Sequence, residues 1–268
     1  MNNNLELRKD AINNPKDWRV YKISGVEKTI IARKGGPTAN DIKSKESYQE
    51  RRNNQQEFGI ASMMAKTMRK TMSGDLDEVC ETYSSGKLTA RFRGLTKNVE
   101  GPTGRRPLIP SKFGHEVEGF EFNPSYPFRT TFFPKYFVHP GQGRGHIILH
   151  FPGFIPEKCI AFPEKATHFK LTAKLVSISD YYYEDEDSAY RACNSDHHGL
   201  TDSFESNMFP ALKIPIQPIT AQLSIIPSKG LPERVGVFLL MGVKFYKYEN
   251  SRYTFVKNGS SCQVLKSF

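Results

Sequence analysis

Cysteine, histidine and aspartate side chains lie close together in one polar segment, Cys-Asn-Ser-Asp-His-His at residues 193–198. Cys193, His197 and His198 are of the donor types that bind Zn²⁺. Adjacent histidines rarely point at one ion, however, and the sequence has no second spaced Cys/His pair to complete a tetrahedral site. The favoured interpretation is a solvated polar loop with no metal or cofactor. A metal-dependent hydrolase built from residues 139–202 is kept as an alternative function.

The glycine-rich segment Gly-Gln-Gly-Arg-Gly at residues 141–145 resembles a phosphate loop only in composition. A phosphate loop requires a helix N-terminus after the glycines, whereas the residues that follow here, HIILHF, are strand-like and indicate a hairpin turn. No GxSxG nucleophile elbow occurs. The candidate bases are scattered over strand-like segments: His115, His139, His146, His150 and His168. The sequence therefore indicates no catalytic residues, and we expect a protein that is not an enzyme.

Positive charge is concentrated in the first part of the chain. The net charge is +10, and residues 1–110 contain 21 Lys and Arg against 13 Asp and Glu, which is +8. A basic cluster after the predicted helix consists of Arg91, Arg93, Lys97, Arg105 and Arg106. Its four arginines are candidate phosphate contacts, because clustered cations are the usual footprint of nucleic-acid binding. No helix-turn-helix, zinc-finger, RRM or KH pattern accompanies them, so a nucleic-acid-binding module is an alternative that we do not favour.

Residues 179–218 form an acidic counterpart to this basic region, since they carry eight carboxylates against Arg191 and Lys213. Opposite charges on distant segments steer contacts and set their specificity. We expect this acidic loop to meet the basic region, either within one chain or between copies.

A long amphipathic helix is predicted over residues 48–73. Ser47 and Glu50 match a capping box at its start, and Gly74 is a natural stop. Spacings of three and four residues place an apolar stripe on one face, formed by Phe58, Ala61, Ala65, Met68 and Met72, with Met64 beside it. Methionine fills irregular hydrophobic surfaces, so the stripe either covers the chain's own sheet or docks on a neighbouring subunit.

The segment before this helix has short β-prone runs at residues 18–23 and 28–32, which predict a hairpin or two edge segments. Gly-Gly-Pro at residues 35–37 then interrupts regular structure. The polar residues that follow predict a linker or an extended arm over residues 35–46.

Beyond residue 87 the pattern changes to short alternating runs bounded by Gly, Pro and Asn, which predict an antiparallel β-sandwich body. The alternation from Val235 to Phe245, with Phe238 and Leu240 apolar on the other face, predicts a central strand. The predicted strands are 88–93, 119–122, 128–133, 135–138, 146–151, 167–178, 219–226, 235–248, 253–256 and 262–265. The predicted fold is mainly β, of the α+β class, with a basic arm at 1–46, an amphipathic helix at 47–76 and a β-sandwich body at 77–268.

The first residues, MNNNLELRKD, lack the apolar core of a signal peptide, and no uninterrupted apolar stretch of ~20 residues occurs. The four cysteines lie far apart without ligand spacing, as is typical of reduced thiols. We therefore expect a cytoplasmic protein, or one assembled into a particle, without a membrane partner.

The stretch IARKGGPTANDIKSKESYQERRNNQQEFGIASMMAKTMRKTM contains a Lys-Gly-Gly-Pro break, an Arg/Asn-rich turn into Glu-Phe-Gly and a helix with basic residues near its end. It resembles the N-terminal region of an uncharacterised family of Bacteroidota proteins, over residues 29–72. The resemblance implies no activity and supplies no functional residues.

The architecture favours a non-enzymatic structural or assembly subunit that forms homo-oligomers, for example in a phage-like particle. In this hypothesis the N-terminal arm and the Met-rich helix make the subunit contacts. The contact residues would be Phe58, Met64, Met68 and Met72, buried in a groove of the next copy.

Overall fold

The structure is a computed structural model, and it describes residues 15–22, 27–72, 74, 78–225 and 230–268. The chain divides into two compact units, Met1–Asn53 and Asn54–Phe268. The division falls inside the long helix, and so differs from the predicted arm, helix and body. The remainder of the predicted arm at residues 1–14, and the predicted element ends Ile23, Ser73 and Ile226, lie outside the described residues.

The N-terminal unit contains an antiparallel hairpin of β1 (Trp18–Lys22) and β2 (Thr29–Arg33), as predicted. It is preceded by a short 3₁₀ turn, Pro15–Asp17. The predicted extended arm is wrong over α1 (Ala39–Ser44), which is a short helix. Its cause is local: the Thr38 hydroxyl accepts a hydrogen bond from the Asp41 N–H (3.1 Å), and the Asp41 carboxylate accepts one from the Thr38 N–H (2.9 Å).

The long helix α2 (Gln49–Lys70) confirms the predicted amphipathic helix. Ser47 does not cap it, because this residue lies within a 3₁₀ turn, Glu46–Tyr48, that precedes the helix. Gly74 has a φ of 74°, the left-handed conformation in which glycine commonly follows a helix.

The second unit is built on a five-stranded antiparallel sheet with the order β12-β11-β5-β8, in which β9 also pairs with β5. A three-stranded sheet has the order β10-β4-β3, and β6 and β7 form a hairpin. The strands are β3 (Phe137–Pro140), β4 (His146–Phe151), β5 (His168–Ser179), β6 (Tyr181–Glu184), β7 (Ala189–Ala192), β8 (Thr201–Glu205), β9 (Phe209–Pro210), β10 (Ile219–Ser224), β11 (Val235–Glu249) and β12 (Arg252–Ser267).

Strand β11 is central, as predicted, and each of its faces contributes to a different hydrophobic core. Phe238 and Leu240 face a core shared with α2 and the other helices. The alternate residues, from Val235 to Phe245, face a second core that they share with Leu149 of the three-stranded sheet. The five-stranded sheet is therefore covered by helices on one face and by the smaller sheet on the other.

Helices occupy much of the segment between residues 78 and 131, where strands were predicted. They are α3 (Ser84–Gly94) and α4 (Pro110–Phe113), with 3₁₀ turns at Leu95–Asn98 and Gly114–Val117, then α5 (Phe128–Thr131); α6 (Pro156–Cys159) follows β4. The strands predicted at 88–93 and 128–133 are thus wrong. Residues 119–122 run beside β12 but form only an isolated bridge, between Glu121 and Gln263.

The mainly β, antiparallel character of the chain is confirmed, whereas a β-sandwich is not. Several small sheets replace two large ones, and helices cover one face of the principal sheet. The predicted acidic loop at 179–218 contains the short strands β6 to β9.

Candidate functional site

The N-terminal unit has no buried residue among those described between positions 16 and 53. Val20 and Ile31 are paired on one face of the hairpin, and Tyr21 and Ile30 on the other. Val20 is 63% exposed and Tyr21 42%. A two-stranded hairpin is at best marginally stable alone, because it lacks a second layer that covers its apolar side chains. This unit therefore presents apolar side chains on both faces of a sheet.

The methionines predicted to contact another subunit lie inside this chain's own core. Met64, Met68 and Met72 are completely buried, together with the helix-facing side chains of β11 and β12. The prediction is corrected for these three, since a side chain enclosed in its own fold is not available to a partner. Phe58, the fourth, is 50% exposed. Glu57 is buried instead and occupies the position on the stripe that was predicted for Phe58.

The predicted basic cluster is divided between two locations. Arg105 forms an ion pair with Asp185 (2.7 Å), and its guanidinium lies 5.3 Å from the centre of the Tyr183 ring. Arg91 and Arg93 lie in the last turn of α3. The structure brings Arg93 and Arg106 together in one cleft, places Arg91 in an adjoining depression and separates Arg105 from both.

A basic cleft of about 350 Å³ opens between the end of α3 and the loop that carries Arg106. It is lined by Ala90, Arg93, Gly94, Thr96, Lys97 and Arg106. An adjoining depression of about 380 Å³ shares Ala90, Gly94 and Lys97, and adds Arg91 and Glu116. Cationic side chains around a small-residue floor are suited to an anionic ligand.

The buried carboxylate of Glu57 positions Arg106 at this cleft. Both Glu57 oxygens accept hydrogen bonds from Arg106, at 2.9 and 2.8 Å, and one also accepts from the Gly104 N–H at 2.8 Å. Burial alone would raise the pKa of Glu57, but these hydrogen bonds and the positive charge outweigh it, so the net pKa is lowered. Arg93 is held separately by the Asn54 side chain (2.7 Å). Helical periodicity does not reveal this role for Glu57, because it places Phe58 on the apolar stripe.

In the segment at residues 193–198, interpreted from its sequence as a polar loop, the second histidine makes structural hydrogen bonds. The His198 Nδ1 atom accepts a hydrogen bond from the Ser179 N–H (3.3 Å), and its Nε2 atom lies 2.9 Å from the Thr67 hydroxyl. Burial, and then the charge of Lys70, lowers the pKa of His198, which favours a neutral ring between α2 and β5. Within the described ranges, no group of three or more His, Cys, Asp or Glu side chains could hold a metal ion.

Cys193 lines a different feature, a polar cleft of about 560 Å³ that also contains Arg191 and Arg234. Burial raises the pKa of the Cys193 thiol although Arg234 lies beside it. The nucleophilic thiolate is therefore disfavoured.

The other candidates for chemistry have structural contacts. Arg144, in the glycine-rich turn, donates to the backbone carbonyls of Pro232 and Glu233, both at 3.0 Å. His150 is hydrogen-bonded to the Thr220 hydroxyl (2.9 Å) on the neighbouring strand. These side chains join strands and loops, and they do not converge on one another.

Four of the eight carboxylates in the predicted acidic loop form ion pairs with described residues of the second unit. Besides the Arg105–Asp185 pair, Arg191 binds both Glu184 and Asp187, and Glu205 binds Lys170 at 2.6 Å and also Lys244. The proposed attraction between this loop and a basic region of another copy is therefore weakened by ion pairs already present.

An apolar groove of about 340 Å³ lies beside β10, which is an edge strand of the three-stranded sheet. Its lining includes Phe209, Ile214, Ile216 and Ile219. Ile214 is 60% exposed. The second unit thus presents exposed apolar side chains beside β10. The outer edge of this strand is not free along its whole length, because the Ser224 N–H donates to the Asp202 carboxylate of β8 (2.7 Å).

None of the helices in the described part of the chain is long and apolar enough to cross a membrane. Comparison with models of known families, with curated proteins and with solved structures finds no match to this chain. The resemblance of residues 29–72 to the Bacteroidota family accordingly stays a prediction.

Proposed function

We propose that this chain is a non-enzymatic assembly subunit that binds copies of itself through its N-terminal unit. The observation that carries the proposal is the lack of any buried residue among the described positions 16–53, in a unit whose hairpin exposes Val20 and Tyr21. Burying an apolar side chain of this size contributes about 1.5–3 kcal/mol, so contact with a partner would supply the stability that the unit lacks.

The proposed partner surface is the apolar groove beside β10 on a second copy. A hairpin with apolar side chains on both faces fits such a surface, because the side chains of one face can enter the groove and be buried there. Both halves of this contact belong to the same chain. The interface would therefore be heterologous, with the hairpin of one copy bound to the groove of the next, and it would produce a ring or a filament.

Light scattering over a series of protein concentrations tests the proposal. The wild type is expected to increase in mass from 30.5 kDa towards multiples of that value. Val20→Asp and Ile214→Asp each place a charge in the proposed contact and should keep the protein monomeric. Gln142→Asp introduces the same charge at an exposed turn outside the contact and serves as the matched control.

A wild-type protein that stays monomeric at its highest attainable concentration would refute self-assembly. Normal assembly of Ile214→Asp, with Val20→Asp monomeric, would show that the hairpin binds another surface. Far-UV circular dichroism of each variant checks that it is folded.

A further inference from the structure

We infer that the basic cleft at the end of α3 binds a phosphate group. This goes beyond the assembly function and does not depend on it. The side chains of Arg93, Lys97 and Arg106 line the cleft, and no carboxylate is part of its lining. Since Glu57 neutralises one of these three charges, a surplus of two positive charges remains for an anion.

Two of the cations are held in place before any ligand binds. Arg106 uses its Nε and Nη2 groups for Glu57, so the N–H donors of Nη1 are not part of this ion pair. Arg93 uses Nη2 for Asn54. Anchored side chains lose less conformational entropy on binding, and guanidinium groups match the oxygens of phosphate.

The electrostatics of helix α3 alone do not explain why these cations lie close together. Basic residues in the last helical turn offset the negative end of the helix dipole, which accounts for Arg91 and Arg93. Arg106 comes from a separate loop and is directed to the same place by a carboxylate that is itself fully buried. A buried ion pair is costly to form, so its position at the wall of a cationic cleft points to a role in binding.

The floor of the cleft allows close approach. A Cβ atom built on Gly94 would have no other atom within 4 Å, so the space above this backbone is open. Gly94 has a φ of −53° and a ψ of −31°, which any residue can adopt. A larger side chain at this position would therefore fill the cleft without straining the backbone or changing the charge.

The second depression extends the site in one direction. It shares Lys97 and Gly94 with the cleft and adds Arg91 and Glu116. Since Arg91 adds a cation and Glu116 one anion, the two clefts together keep a positive surplus, which suits a chain of phosphodiesters as well as a single phosphate. The common chemistry is a phosphate group, whose source is either a nucleic-acid strand or a free phosphate.

The test uses two probes on the full chain. Inorganic phosphate is titrated by calorimetry, and a fluorescein-labelled single-stranded oligothymidylate is titrated by fluorescence anisotropy. Lys97→Gln removes a cation from the cleft, and Gly94→Leu fills the cleft at constant charge. Lys87→Gln is the matched control, because Lys87 lies on α3, the helix immediately before the turn that carries Lys97, and outside the cleft.

We expect Lys97→Gln to weaken binding by about tenfold, the effect of losing one charged hydrogen bond. Gly94→Leu should weaken it by at least about tenfold, because the added side chain occupies the space that the phosphate needs. Lys87→Gln should change it by less than about twofold, as expected for an exposed surface charge. Phosphate binding alone would identify a free phosphate as the ligand, and oligothymidylate binding alone would identify a strand. The inference is overturned if neither probe binds, or if the wild type and Gly94→Leu bind both probes equally.

Discussion

Glu57 is a buried carboxylate that holds Arg106 and the Gly104 backbone in place. A sequence pattern cannot reveal this, because helical periodicity places Phe58 on the apolar stripe and Glu57 beside it. In the structure Glu57 is buried and Phe58 is exposed. An ionised carboxylate can be buried at this position because it accepts three hydrogen bonds. Arg106 was predicted to bind phosphate, but the partner that orients it could not be inferred without the fold.

Replacement of Glu57 by Gln should lower the free energy of unfolding by about 2–3 kcal/mol, because it leaves a partly buried Arg106 without its counterion. The lowered pKa means that the wild-type contribution is present above the pKa of the unfolded state and is lost as the pH falls through the folded pKa. Denaturant unfolding at neutral and acidic pH measures both effects. Glu186→Gln, at an exposed position, is the control, and an equal loss in both variants would contradict this account.

Glu121 behaves in the opposite way, because burial raises its pKa from 4.5 to about 7, against smaller effects of the Phe128 N–H and Arg129. The folded state binds the proton more tightly than the unfolded state. The contribution to stability is therefore complete below pH 4.5 and decreases as the pH rises to about 7. Glu121→Gln should remove this decrease and be more stable than the wild type at pH 8, by about 1–3 kcal/mol. Denaturant unfolding across this pH range measures the free energy of unfolding of both proteins. The same dependence of that free energy on pH in both proteins would refute the prediction.

At the level of elements, segments with a clear period were predictable, whereas the short helices between residues 78 and 131 were not. Helix α2 and the strands β4, β5 and β11 were predicted close to their observed bounds, because each has a sustained pattern. Leu88, Ala90 and Phe92 alternate like a strand, yet Leu88, Phe92 and Leu95 are buried with helical spacing. The six residues 88–93 are too few to distinguish the two-residue period of a strand from the 3.6-residue period of a helix. The helix forms because this segment packs against the sheet.

The packing of α2 gives a prediction for the helix as an element. Met68→Ala should lower the free energy of unfolding by about 2–4 kcal/mol, because it opens a cavity in the core against the five-stranded sheet. Phe58→Ala, on the exposed side of the same helix, should change it by less than about 0.5 kcal/mol. Chemical denaturation of the two variants compares them directly. Similar losses would mean that the helix is not oriented as described.

On the scale of the whole molecule, the two compact units differ in how much buried hydrophobic core stabilises them. The second unit has two hydrophobic cores, whereas the described part of the first has no buried residue. The sequence predicts assembly through the N-terminal arm and the Met-rich helix. The hairpin within that arm keeps Val20 and Tyr21 exposed, whereas the three methionines predicted as contacts are buried in their own fold. A single sequence does not display this difference, because burial depends on contacts between distant segments.

Trp18 is the only tryptophan, and it lies in β1. Its fluorescence therefore reports on the N-terminal unit, while far-UV circular dichroism reports mainly on the second unit. We expect the fluorescence transition at a lower denaturant concentration, and we expect its midpoint to rise with protein concentration because a second copy stabilises the bound hairpin. The dichroism midpoint should change much less. Coincident transitions that are independent of concentration would contradict both the separate stabilities and the proposed assembly.

The central position of β11 also affects synthesis of the protein. Both cores require this strand, so neither can close until Val235–Glu249 has been translated. At about 5–20 residues per second, the interval between translation of Ala61 and of Phe245 is about ten to forty seconds. Until then the core side chains that have already been translated stay uncovered on the nascent chain, first those of the helix-covered core and, from Phe128 onward, those of the second core as well.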